Sequence, residues 1–251
     1  GYFANGIVVK NAWYPMLDNV KITSEYGDSH GKMAAGFALL DCYSPLVDKC
    51  YFWGGAEYGL LYRSEIDSED GIVSDCYFVG QDTGIRVRLS ARTDGWGEPA
   101  FHLTDSHIHY KVKGLALKGI RQGFVSGNLF YCFNRAASRW HADPDSVSSY
   151  TSKDIECDAV NDFIVSHNQF AEPASPKRVC IDILPNSGNL LIDGNIFNMD
   201  GTAIRNRSQV SSRCIGNVYT GSPDFTKSAD GANALIRYVD PNGTLKTLDF
   251  E

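Results

Sequence analysis

Apolar and polar residues alternate along most of this chain in two short phrases that take turns. The first phrase holds apolar residues at alternate positions, then a small or amide residue, the anchor, then an aromatic or aliphatic residue two positions later. Its clearest copies span residues 46–52, 72–78, 124–130, 163–170, 190–197 and 213–219. Alternation of this kind is typical of strands with one buried face, so every copy predicts short β-strands.

The second phrase begins with Gly, Ala or Cys and continues with alternating apolar residues. It begins at Gly36, Gly59, Gly84, Gly114, Ala136, Cys180, Ala203 and Ala234. The shortest step from an anchor to this phrase is 8 residues and the shortest step back to an anchor is 14, which gives a minimum turn of 22 residues. A repeat of this length predicts a solenoid with three short strands per turn, in which each strand stacks on its counterpart one turn earlier.

The 22-residue turn, the Asn anchors and the Gly-Ile-x-Val strands resemble the right-handed parallel β-helix of pectate lyases, polygalacturonases and bacteriophage tailspikes. We therefore expect an all-β chain, a single-stranded right-handed parallel β-helix of about eight rungs over residues 1–240. Residues 241–251 are expected to form a C-terminal extension that packs on a partner or on a missing domain. The resemblance is greatest to a tailspike polysaccharide depolymerase, which implies a homotrimer on a virion tail spike or an extracellular protein.

Composition narrows the function classes. The net charge of −7 argues against general nucleic-acid binding, which requires basic surface. No apolar run is long enough to span a membrane, and we expect no signal peptide at the start of the chain. No zinc spacing is visible, and we expect no cofactor or metal. Cys50 and Cys76 both occupy anchor positions, where buried reduced thiols and a bridge between rungs are both compatible with the sequence.

Three long insertions follow copies of the second phrase and are expected to form the walls of a groove. Their Trp and Tyr side chains offer apolar faces to a sugar, and their Arg and carboxylate side chains offer hydrogen bonds; the alternative is solvated loops with incidental charges. The insertions carry Arg63, Glu65, Asp67, Glu69 and Asp70, then Arg88, Arg92, Asp94, Trp96 and Glu98, and then Arg139, Trp140, His141, Asp143, Asp145, Tyr150, Glu156 and Asp158.

Four cations recur on the outward positions of the second phrase: Arg63, Arg86, Arg88 and Lys118. Period-two alternation places them on the solvent face, where they should form a cationic strip along successive rungs. Stacked like charges are unfavourable unless an anion offsets them. The anion is either a set of loop carboxylates or an acidic polysaccharide.

Two carboxylates, Glu57 and Asp82, each stand two residues before the Gly of the second phrase in adjacent rungs. Stacked strands should bring the pair to ~5 Å, the separation of a retaining glycosidase, and crowding should make one of them a general acid. Asp67, Asp94 and Glu98 are further acid candidates, and the predicted substrate-binding residues are Arg63, Arg86, Arg88, Trp96, Arg139, Trp140 and His141.

The predicted function is therefore hydrolysis of an acidic polysaccharide. Residues 82–85 resemble the position of polygalacturonase catalytic aspartates, but the rest of that signature and the pectate lyase signature are absent, so only the position carries over. A lyase that removes a proton with a basic residue or His141 is one alternative. A non-catalytic adhesin or structural solenoid is the other.

Overall fold

The computed structural model describes residues 5–24, 33–65, 69–90, 99–132, 152–171, 178–198, 201–210, 212–220, 223–227, 236–239 and 245–248. The regular elements in these ranges are β-strands, and none of the described residues forms a helix able to cross a membrane. In chain order the strands are β1 (Asn5–Lys10), β2 (Met16–Asp18), β3 (Lys21–Thr23), β4 (Met33–Leu40), β5 (Leu46–Asp48), β6 (Tyr51–Trp53), β7 (Ala56–Ser64), β8 (Gly71–Ser74), β9 (Tyr77–Leu89), β10 (Ala100–Thr104), β11 (His107–Lys118), β12 (Gln122–Ser126), β13 (Leu129–Cys132), β14 (Lys153–Asp158), β15 (Asn161–Ser166), β16 (Gln169–Ala171), β17 (Val179–Ile183), β18 (Gly188–Asp193), β19 (Ile196–Asn198), β20 (Gly201–Asn206), β21 (Arg213–Thr220), β22 (Pro223–Lys227), β23 (Ile236–Val239) and β24 (Leu245–Leu248).

The strands stack in three parallel sheets that run along the molecule. Sheet A holds β1, β4, β7, the second half of β9, the second half of β11, β14, β17, β20 and β22. Sheet B holds β2, β5, β8, β10, β12, β15, β18 and the first part of β21. Sheet C holds β3, β6, the first halves of β9 and β11, β13, β16, β19 and the last part of β21. This is a parallel β-helix, and the predicted all-β fold is confirmed.

The anchor residues point inward between sheets B and C and form a hydrogen-bonded ladder. The side-chain amide of Asn128 donates to Asn168 Oδ1 at 3.0 Å, Asn168 donates to Asn195 at 3.0 Å, and Asn195 donates to Asn217 at 2.9 Å. The backbone N–H groups of Asn128, Asn168 and Asn195 also donate to the next anchor oxygen. Buried polar groups need such partners, so the predicted ladder is confirmed, and it satisfies the turn between sheets B and C in the rungs that carry these four residues.

The aromatic residues that follow the Asn anchors by two positions form a stack of rings. Phe130 and Phe170 lie 5.4 Å apart, Phe170 and Phe197 lie 4.8 Å apart, and Phe197 and Tyr219 lie 5.0 Å apart, all nearly parallel. The rings are buried and extend a continuous apolar core. The repeated aromatic residue therefore fixes the same packing in successive rungs.

The Gly of the second phrase marks a corner where adjacent coils approach closely. A Cβ on Gly84 would lie 2.4 Å from the Ile108 side chain, and one on Gly59 would lie 2.4 Å from the carbonyl oxygen of Gly84. A larger residue at Gly59 or Gly84 would push the two rungs apart at that point. These copies of the phrase therefore begin with Gly for a steric reason.

One predicted strand is misplaced. The strand that pairs between β11 and β17 is β14, residues 153–158, and not the phrase that begins at Ala136, which lies outside the described residues. As a consequence, Glu156 and Asp158 belong to a strand of sheet A and not to the third insertion. Residues 153–158 pair with both neighbouring strands of sheet A.

The C-terminal residues pair within the chain. β24 runs antiparallel to β23, with Ile236 opposite Leu248 and Val239 opposite Leu245. The expected packing of residues 241–251 on a partner or a further domain stays a prediction. All seven cysteines are buried free thiols, including Cys50 and Cys76, whose contact is a hydrogen bond from the Cys50 backbone N–H to Cys76 Sγ at 3.4 Å.

Candidate functional site

The outer face of sheet A carries charged side chains in two columns. The first column contains Leu61, Arg86, Ala116, Glu156, Asp182 and Arg205, which are paired from strand to strand. The second column contains Leu40, Arg63, Arg88, Lys118 and Asp158. Alternation along each strand places both columns on the outer face of the sheet, where Ala116 and Asp182 are nonetheless buried, while the residues between the columns fill the core.

The predicted cationic strip exists. Arg63, Arg88 and Lys118 are consecutive in the second column, and Arg86 lies in the first column with its guanidinium 6.0 Å from the centre of the Tyr58 ring. Lys118 Nζ binds Asp158 at 2.6 Å, so this end of the strip is paired internally. Within the described residues, no ion pair joins Arg63, Arg86 or Arg88 to a carboxylate.

Glu57 and Asp82 are brought together as neighbours on paired strands. The pairing of Tyr58 with Thr83 sets the residues that precede them, Glu57 on β7 and Asp82 on β9, side by side. Neighbouring strands lie about 4.8 Å apart, so the backbones of these two residues are adjacent in successive rungs. Glu57 is exposed and Asp82 is half-buried. Burial and, after it, a hydrogen bond with Glu57 raise the pKa of the Tyr58 hydroxyl above its ordinary value.

The other predicted site residues lie outside the described residues. They are Asp67, Asp94, Glu98, Trp96, Arg139, Trp140 and His141. Their roles as loop acids and groove walls stay predictions.

A charge network that sequence reasoning missed lies on the same face, centred on Asp182. The Asp182 carboxylate is fully buried and accepts two hydrogen bonds from Arg205, at 2.9 and 2.7 Å. Arg207 binds it at 2.9 Å and Lys153 at 2.8 Å. Burial raises the pKa of Asp182, but the hydrogen bonds from Arg205 and Lys153 outweigh burial and hold that pKa below its ordinary value.

Glu156 completes the network on the adjacent strand. It binds Lys113 Nζ at 2.6 Å and also contacts Lys153 Nζ. Burial raises its pKa, but the two lysines outweigh burial, and the net pKa is lowered. The network thus holds four cations around two carboxylates, which leaves a net positive charge on an acidic protein. Asp182 and Arg205 could be placed in one column from the sequence, whereas Glu156 could not, because its strand was assigned elsewhere.

Three of the described histidines lie against aromatic rings. His107 lies against Tyr77 with ring centres 4.6 Å apart, and His109 lies against Tyr131 at 5.1 Å, both on the outer face of sheet C. Burial lowers the pKa of His102 and of His109. In the part of the chain that the structure describes, no group of His, Cys, Asp and Glu side chains has the arrangement of a metal site.

No protein-family model matches the sequence, and no curated protein matches it. Solved structures match its fold. The chain is similar to the periplasmic alginate epimerase AlgG, with a TM-score of 0.62 and 14% identity over 90% of this chain and 50% of that one. It is similar to a tailspike mutant of E. coli bacteriophage HK620 in complex with a pentasaccharide, with a TM-score of 0.57 and 14% identity over 86% of this chain and 42% of that one.

A third similar structure is PfbA, a surface adhesin of Streptococcus pneumoniae. Its TM-score is 0.57 and its identity 13%, over 96% of this chain and 65% of the adhesin. The chain therefore spans half or less of the epimerase and the tailspike and just under two thirds of the adhesin. At these identities the likeness shows the parallel β-helix fold and leaves activity to be argued from the site.

Proposed function

We propose that this protein binds an acidic polysaccharide along the outer face of sheet A and cleaves it by glycoside hydrolysis. The observation that carries the proposal is the coincidence of a carboxylate pair, Glu57 and Asp82, with a row of arginines on one exposed face. Arg63, Arg86 and Arg88 form no ion pair with a described carboxylate and would bind the acidic groups of the sugar chain. The similar structures of an alginate epimerase and of a tailspike in complex with a pentasaccharide support a polysaccharide as the ligand.

The adjacent positions of Glu57 and Asp82 on paired strands are compatible with a retaining reaction. In retaining glycosidases the two carboxyl groups lie about 5–5.5 Å apart, and one attacks the anomeric carbon while the other protonates the leaving oxygen. The hydroxyl of Tyr58 orients Glu57 by its hydrogen bond. An inverting reaction needs about 6.5–9.5 Å and would pair a floor carboxylate with a loop acid, Asp67, Asp94 or Glu98. Trp96, Arg139, Trp140 and His141 would then line the walls of the groove.

A polysaccharide lyase is the second candidate, and the charge network favours it. Lys113, Lys153, Arg205 and Arg207 converge on two carboxylates of the same face. These four cations, which outnumber the two carboxylates, would neutralise a uronate carboxylate of the substrate. A basic side chain would then remove the proton from the carbon next to that carboxylate. A non-catalytic adhesin is the remaining alternative, and the similarity in fold to the PfbA adhesin is compatible with it.

The same proposal includes an assembly and a location. We propose a homotrimer of parallel β-helices on a virion tail spike or in the extracellular space. Similar structures of a tailspike and of periplasmic and surface proteins support this setting.

Product analysis tests the proposed function. The protein is incubated with alginate, polygalacturonate and other acidic polysaccharides, and both new reducing ends and the ultraviolet absorbance of an unsaturated uronate are measured. Hydrolysis gives reducing ends without that absorbance, and elimination gives both. Polysaccharide that is bound but stays intact would overturn an enzymatic function and leave the adhesin.

A further inference from the structure

Three aromatic rings stack on the surface where sheet A turns into sheet B. Trp13 and Tyr14 lie in the turn between β1 and β2, and Tyr43 lies in the next turn, between β4 and β5. The Trp13 and Tyr43 rings are stacked with centres 4.6 Å apart, and Tyr14 meets Tyr43 edge-on at 5.6 Å. Trp13 is 65% exposed and Tyr14 is 67% exposed. We call these three residues the aromatic platform.

The backbone holds the platform rigidly. The Tyr43 N–H donates to the Ala12 carbonyl at 2.9 Å, and the Tyr14 N–H donates to the Tyr43 carbonyl at 2.8 Å. Trp13 and Tyr43 are also a paired bridge between the two turns. Because the turns are locked in register, the rings are prearranged before any ligand arrives.

Tyr14 occupies a backbone conformation that its side chain does not favour. Its φ is 52°, in the left-handed region that Gly, Asn and Asp populate most readily. The next two turns have the same conformation at Ser44 and Asp70, both with φ of 45°, and both residues are small and polar. A bulky ring at this position is costly, and since it is largely exposed, core packing does not require it. Strain of this kind is typical of functional positions.

The platform also has a polar edge and borders the proposed groove. The Tyr43 hydroxyl donates to the Glu69 carboxylate, which fixes a charged acceptor beside the rings. The Asp41 N–H donates to the Arg63 carbonyl at 2.8 Å, so the turn that carries Tyr43 is continuous with the end of the cationic strip. Apolar faces and a fixed carboxylate match a pyranose ring, which has an apolar face and a rim of hydroxyl groups.

We propose that the aromatic platform is a sugar-binding subsite that extends the groove of sheet A beyond Arg63. A pyranose ring of the glycan stacks on Trp13 and Tyr14, and its hydroxyl groups donate to Glu69. The inference rests on the proposed binding of a polysaccharide but not on its cleavage. It predicts that the outermost sugars of a long chain, and not those near Glu57, depend on these rings.

Binding in the Glu57→Gln background, which is designed to keep the sugar intact, tests the subsite. Calorimetry and saturation-transfer NMR are run with hexamannuronate and cellohexaose as probes. Trp13→Ala and Tyr14→Asn should each weaken binding of a hexasaccharide by roughly threefold to tenfold, since one stacking contact is lost. The matched control is Trp53→Ala, because Trp53 is 45% exposed on sheet C, away from the groove.

A stability measurement separates a binding role from a structural one. Tyr14→Asn should keep or raise the melting temperature, because Asn accepts the left-handed conformation, while it still weakens sugar binding. The proposal is overturned if neither hexasaccharide binds, if both platform variants bind as the parent does, or if Trp53→Ala weakens binding equally. Self-association that is lost in Trp13→Ala with unchanged sugar binding would also overturn it and indicate a protein contact. None of these outcomes affects the cleavage assay, which tests Glu57 and Asp82 separately.

Discussion

Glu156 and Asp182 occupy the same register position on neighbouring strands, β14 and β17, and the ammonium group of Lys153 binds both carboxylates. Like charges directly opposite each other on a sheet repel. Here Lys113 and Arg205 complete the neutralisation from the flanking strands. Both carboxyl groups are therefore ionised in the folded protein, and their ion pairs contribute to its stability.

The pair predicts a loss of stability in acid. Both carboxyl groups have pKa values in the folded protein below their ordinary values of 4.5 for Glu156 and 3.8 for Asp182. A lowered folded pKa contributes stability above the ordinary value and loses it as pH falls through the folded value. The melting temperature should therefore fall as pH drops below about 4.5, and Glu156→Gln should reduce the steepness of this fall. Equal steepness in the parent and the variant would show that Glu156 does not contribute.

A buried ion pair at the start of β17 predicts a large effect on stability. Arg178 is fully buried and binds both oxygens of Asp154, at 2.9 and 2.7 Å, while the Tyr110 hydroxyl donates to the same carboxylate. Arg178→Met leaves a buried carboxylate without a cation and should cost about 3–5 kcal/mol in urea unfolding. The exposed ion pair of Lys118 with Asp158 supplies the control, since Lys118→Met should cost no more than about 1 kcal/mol.

The double variant Asp154→Leu with Arg178→Met distinguishes the lost ion pair from lost packing. It removes the unpaired carboxylate and should recover part of the stability that Arg178→Met loses. If the double variant is as unstable as the sum of both single variants, the two side chains are not coupled.

The Asn ladder predicts a position-specific cost. Asn168→Leu removes the oxygen that accepts from the Asn128 backbone and side chain and the amide that donates to Asn195. The buried N–H of Asn128 then lacks its partner, so unfolding should become easier by at least about 1 kcal/mol. Gln169→Leu is the matched control, because Gln169 is the next residue, also an amide, and exposed. An unchanged melting temperature in Asn168→Leu would contradict the ladder's contribution.

The sequence predicted the fold well because the repeat itself carries the information. Anchors such as Asn168 and corner residues such as Gly84 recur in the same chemical role in rung after rung, and stacking makes each role spatially equivalent. The local pattern placed this strand at Ala136, whereas the strand that pairs with β11 is β14, residues 153–158. That choice depends on hydrogen bonding to both neighbouring strands, so Glu156 and its lysines were missed.

The candidate site could be predicted only in part. Register follows from the repeat, which is why the neighbourhood of Glu57 and Asp82 was foreseen. The aromatic platform was not foreseen, because its signal is a backbone conformation at Tyr14 that the residue type disfavours. Contacts that depend on such strain are set by the surrounding turns and are not encoded in one residue's propensity.

An apolar column on the outer face of sheet B predicts where copies of the chain would meet in a trimer. The column consists of six apolar residues and one histidine, paired from strand to strand: Met16, Leu46, Ile72, His102, Phe124, Ile164 and Leu191. Apolar residues aligned over successive rungs are typical of a protein interface. Phe124→Lys combined with Ile164→Lys should shift light scattering toward the monomer, whereas Val8→Lys, an exposed residue on sheet A, should not. A parent protein that stays monomeric at high concentration would remove the trimer.

The carboxylate pair makes the sharpest prediction about activity. Glu57→Gln and Asp82→Asn should each lower kcat by several orders of magnitude, because a retaining reaction requires both a nucleophile and an acid. The melting temperature should change little, since Glu57 is exposed and Asp82 half-buried on the outer face. Asp193→Asn, at the end of β18 in sheet B, is the control and should digest the glycan at the parental rate. If Glu57→Gln and Asp82→Asn both do so as well, the pair is not catalytic, and the loop acids Asp67, Asp94 and Glu98 become the residues to replace.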